Sequence, residues 1–99
     1  MLTSSATLIP KESIPSLRFE KKECLPNEAD RIDRKMNLEK AVILGNTYKK
    51  KVRITFETET GAKIVETTVW AVTERNILLK SGVYLPIGAI IDVDLYTPS

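Results

Sequence analysis

The chain has no histidine and a single cysteine, Cys24, in 99 residues. Without histidine, acid–base catalysis near neutral pH lacks its usual group. One cysteine excludes an intramolecular disulfide and a thiolate metal cluster. Cys24 sits in the polar run KKECLPNEAD with no neighbour able to act as its base, so it reads as an incidental thiol in a flexible stretch. No glycine-rich phosphate loop occurs, and no serine has a nucleophile context. Asp92 and Asp94 share one strand face but bring no further oxygen ligands for a cation. An enzyme is therefore not expected, nor a cofactor, a bound metal or a small-molecule substrate. No run approaches the ~20 apolar residues of a membrane span. The opening MLTSSATLIPKESIPSL lacks the cationic start and apolar core of a secretory signal, so a cytoplasmic protein is expected. The net charge is only +2, and composition alone does not announce a nucleic-acid binder.

What is present suits one soluble domain, with 42% hydrophobic and 28% charged residues. Residues 1–36 hold Pro10, Pro15 and Pro26 and show no period of 2 or 3.6. Their apolar residues line no common face, so a disordered N-terminal extension is expected there. A helical turn near NEADRIDRK is the exception, with Asn27 as its cap and Asp30 and Arg34 at i,i+4. Ordered sequence beginning right after Met36 suggests that methionine as the natural initiator.

Residues 37–97 read as the folded domain. NLEKAVILGN predicts a helix of about two turns, with Asn37 as N-cap, Leu38, Ala41 and Val42 as its apolar stripe and Gly45 just past its end. The run AVIL is also compatible with a short strand. From Lys51 the period changes to 2, with Val52, Ile54 and Phe56 alternating against Arg53, Thr55 and Glu57. Gly61 supplies a positive φ for the turn that follows. KIVETTVWAVTE is β-branched and, at about twelve residues, long enough that it should bend and serve two parts of a curved sheet. ILLK, VYLPI and AIIDVDL complete the set, with Pro86 expected at an edge or bend. The expected fold is mainly β: a small, bent antiparallel barrel of four or five strands, preceded by one short helix that covers an open end.

This layout resembles the small SH3-like barrels and, among them, the Sm-like proteins. The features that carry the resemblance are the short leading helix, the turn at Gly61, the long bent strand, RNILLKSG and the closing LPIGAIIDVDL. It implies that Asn76 and Ile77–Leu79 lie mid-barrel and that Ile87–Val93 close it. The chain departs from the Sm-like pattern in lacking a glycine in ETTVWAVT and the RNA-contacting Arg-Gly pair near the C-terminus. Residues 37–95 also resemble short bacterial proteins of unassigned function, through ILGN, ETTVWA and the glycine-punctuated LK run.

Two surfaces stand out. Tyr48, Lys49, Lys50, Lys51 and Arg53 form a basic cluster beside an aromatic, the make-up of a sequence-tolerant RNA or single-stranded nucleic-acid surface. The same lysines also suit a solvated edge that resists pairing. Trp70, the only tryptophan, and Tyr84 are candidates for a protein contact or for self-association into a homo-oligomer. Periodicity leaves open whether Trp70 is buried or faces water. A non-enzymatic binding module is expected, either a nucleic-acid-binding accessory protein or a protein–protein adaptor.

Overall fold

Alternation in the first long strand sets the core. Our computed structural model describes residues 6–20 and 22–95. In β2 (Val52–Thr58), Val52, Ile54 and Phe56 are fully buried while Arg53 and Glu57 face water. β2 pairs antiparallel with β3 (Gly61–Thr67), from Val52↔Thr67 to Thr58↔Gly61. Gly61 holds φ +111°, which a side chain would resist. Thr58 locks this turn, its hydroxyl donating to the Gly61 carbonyl at 2.7 Å and accepting from the Thr60 N–H at 3.1 Å. β7 (Ile90–Asp94) returns to the other side of β2, also antiparallel. A two-residue strand, β1 (Thr7–Leu8), lies parallel to β3, so the first sheet runs β1-β3-β2-β7.

The chain then leaves that sheet at Thr68. β4 (Val69–Val72) starts a second antiparallel sheet with β5 (Asn76–Leu79) and β6 (Val83–Pro86), in the order β4-β5-β6. The long β-branched run bends as its length implied, but it serves two separate sheets rather than two parts of one curved sheet. The bend needs no glycine; the buried Thr68 makes it, and its carbonyl accepts the Lys80 N–H at 3.0 Å.

Three sequence expectations are corrected. First, no ladder among the described residues joins the two sheets, so they form no closed barrel. The helix α1 (Glu28–Tyr48) bridges them instead, packing on both β4 and β7. With 21 residues in that helix the fold is mixed α/β rather than mainly β. Second, α1 is far longer than two turns. Asn27 is its N-cap and Lys49, at φ 57°, its left-handed C-cap. Gly45 is interior to it, because a Cβ there would meet the Val69 carbonyl oxygen at 2.4 Å. Third, residues 6–20 and 22–36 are not a disordered extension of a separate domain. The Ile9 N–H bonds the Ile64 carbonyl at 2.8 Å, Ile14 is buried in the shared core, and the Phe19 ring lies 6.0 Å from that of Phe56. Residues 1–5 lie outside the described residues. Met36 falls inside α1, so initiation there would remove Ile14 and the first two turns of the helix.

Candidate interaction surfaces

The basic cluster divides in two. Tyr48, Lys49, Lys50 and Lys51 are exposed where α1 hands over to β2. Arg53 belongs elsewhere. It stands on the outer face of the first sheet, in a cross-strand row with Glu66 on β3 and Asp94 on β7. Its Nε donates to the Glu66 carboxylate at 2.9 Å, and its Nη2 donates to the same oxygen. Glu57 and Asp92 are exposed on that same face. Arg53 thus stands among four carboxylates, a setting less suited to phosphate than a run of lysines alone.

Trp70 owes its position to a bulge. The β4–β5 register runs Val69↔Leu79 and then Ala71↔Leu78, so Trp70 is the extra residue on β4. Such a bulge re-aims a side chain, and Trp70 is 42% exposed. Its carbonyl accepts the Asn46 Nδ2 hydrogen at 3.1 Å, which clips the last turns of α1 to β4. Beside it, Ala71, Leu78 and Tyr84 form a row across three strands. Their neighbours Ile77, Leu79 and Leu85 are fully buried, which directs this row outward, and Tyr84 is exposed. Trp70 and Tyr84 are therefore both exposed on the second sheet, with Ala71 and Leu78 between them.

Sequence reading missed a third feature. Arg34 is only 7% exposed, and the Glu23 carboxylate grips it with bonds of 2.6 and 2.7 Å. A further bond of 3.0 Å runs from Arg34 to the Ile90 carbonyl. The Arg34 guanidinium, helped by the Leu25 N–H, holds the Glu23 carboxyl below its ordinary pKa against the opposing effect of burial. Cys24 is fastened to the same strand. Its N–H bonds the Gly88 carbonyl at 2.9 Å and its thiol donates to Ile90 at 3.3 Å. Burial pushes that thiol's pKa up, so it is a packed structural group and a poor nucleophile. The sequence set Arg34 against Asp30 at i,i+4 and, through the Asn27 cap, a helix start close to Glu23; the partner is Glu23 instead.

An open groove of about 460 Å³ lies beside this pair, with Asp30, Asp33 and Asp92 on its walls. Among the described residues no three carboxylates or thiols gather in an arrangement that could hold a metal ion. No described helix is long and apolar enough to cross a membrane. Comparisons with protein-family models, curated proteins and solved structures find no match to this chain.

Proposed function

We propose that this chain is a non-enzymatic protein-binding module that receives its partner on the outer face of the second sheet, with Trp70 and Tyr84 as anchors. The observation that carries this reading is the bulge that turns Trp70 outward beside the Ala71–Leu78–Tyr84 row. Aromatic side chains on a rigid sheet give much contact area at little cost in conformational entropy, the usual make-up of binding hot spots. We read the fold itself as an opened relative of the SH3-like barrels. The consecutive antiparallel pairing and the return of β7 to β2 support that reading. A cytoplasmic setting fits the lone, hydrogen-bonded Cys24 thiol.

A second reading, RNA or single-stranded nucleic-acid binding, rests on the exposed run Tyr48–Lys51 alone. One experiment separates the two. The full chain is immobilised and exposed to extract of its native cell, with and without nuclease. A bound protein should survive nuclease and be lost with the Trp70→Ala/Tyr84→Ala double variant, whose circular dichroism should match the parent. Loss on nuclease treatment, or binding indifferent to the double variant, overturns the adaptor reading.

A further inference from the structure

We infer that the solvent-facing side of α1 seats a second copy of this chain, antiparallel about a two-fold axis near the middle of the helix. The inward side of α1 is settled: Arg34, Leu38, Ala41 and Gly45 are its buried positions. On the opposite side Ile32, Met36 and Ile43 are 52%, 50% and 58% exposed. Their spacing of i, i+4, i+11 puts them in one line about 16 Å long. Scattered exposed apolar residues need no explanation. A line of them directly opposite the core serves no contact within the fold.

The charges beside this line select the occupant. Glu39 falls in the line's one gap, Lys35 flanks it on one side, and Asp33 and Lys40 flank it on the other. Among the described residues none of these four has an ion-pair partner. Laying a second copy antiparallel sets Ile32 against Ile43 of the second copy. It also sets Asp33 against Lys40 of the second copy and Glu39 beside Lys35 of the second copy, each pair occurring twice by symmetry. Parallel pairing fails, because it sets Lys35 against Lys40 and Glu28 against Asp33. Asp33, Lys35, Glu39 and Lys40 thus each stand beside an opposite charge in the antiparallel orientation, whereas the parallel one brings like charges together.

The seat lies on α1, apart from the Trp70–Tyr84 face, and stands or falls independently of the proposed function. One helix pair is at the small end of protein interfaces, so the dimer is weak and salt-sensitive. Sedimentation of the full chain at low salt should show a concentration-dependent dimer. Asp33→Lys and Lys40→Asp alone should each weaken it about tenfold, and the double exchange should restore it. Both sites are exposed, so the fold should survive. For orientation, Ile32→Cys and Ile43→Cys chains, each also carrying Cys24→Ser, are mixed and oxidised. Mixed disulfide dimers should exceed each homodimer by well over the roughly twofold excess that random pairing gives. A strict monomer at the highest accessible concentration overturns the inference, as does a double exchange that fails to restore association, a random mixture of disulfide dimers or a predominance of homodimers.

Discussion

Replacing an interior helical glycine with alanine ordinarily stabilises a protein by ~1 kcal/mol. At Gly45 the sign should reverse. An added Cβ would lie 2.4 Å from the Val69 carbonyl oxygen and 2.7 Å from Thr68 Cγ2. The first of these is backbone that cannot swing aside. Val69 is held in register with Leu79, and the preceding Thr68 carbonyl is tied to the Lys80 N–H. Reaching an ordinary carbon–oxygen contact of about 3.3 Å would part α1 from β4 by nearly 1 Å. A gap of that size forfeits roughly a quarter to a half of the dispersion attraction along the contact. It also stretches the Asn46–Trp70 bond, now 3.1 Å, out of hydrogen-bonding range. Overpacking costs about 1–3 kcal/mol and the lost hydrogen bond ~1 kcal/mol. Set against the propensity gain, Gly45→Ala should destabilise by about 1–3 kcal/mol. In a domain of this size each kcal/mol lowers Tm by roughly 4–8 °C. Urea unfolding followed by circular dichroism, with m unchanged, reads this as a lower midpoint. A Gly45→Ala chain as stable as the parent, or more so, would refute the close approach of helix and strand.

Two further substitutions probe local features. Lys49→Gly relieves a left-handed C-cap at φ 57° and should raise stability by ~1 kcal/mol in the same urea assay. For Glu23 the lowered folded-state pKa sets the direction: its pair with Arg34 contributes fully above the unfolded carboxylate value, near pH ~4.3, and the contribution is lost as pH falls through the folded value. Glu23→Gln should lower neutral-pH stability by about 1–3 kcal/mol, since Arg34 stays buried without its counter-ion, and should flatten the acid limb of stability against pH. Parallel acid limbs for variant and parent would count against the pair.

β2 was legible because a sheet with one buried face writes a period of 2, and Gly61 marks where it turns; the break at Thr68 and the short β1 carry no such mark. The length of α1 was hidden for a specific reason. Two of its four buried positions are Arg34, a charge satisfied by Glu23, and Gly45, which has no side chain. Only Leu38 and Ala41, with the half-buried Val42, announced the inward face, while Ile32, Met36 and Ile43 placed apolar residues on the outward one. Residues 6–20 were illegible because isolated anchors, Ile14 and Phe19 among them, tie that stretch to the core with no repeat. The Arg53–Glu66 pair depends on strand register, and Trp70 on a bulge that interrupts the period used to assign faces.

Register and the Asn46 clip also change how the two candidate surfaces relate. In sequence, the basic run and Trp70 compete as sites for different partners. In the fold, Arg53 leaves the run for an acidic sheet face, and the remaining lysines follow within five residues of Asn46, whose side chain holds the Trp70 carbonyl. Lys49, Lys50 and Lys51 thus follow directly on the end of α1 that the Asn46 side chain fastens to β4. Charges at the margin of a contact set the encounter rate and its salt dependence, while buried aromatics set residence. A polynucleotide would gain from three lysines and lose at the four carboxylates of the first sheet. A protein segment with an apolar centre would use the Ala71–Leu78–Tyr84 row of the second sheet and would meet none of those carboxylates, which stand on the first.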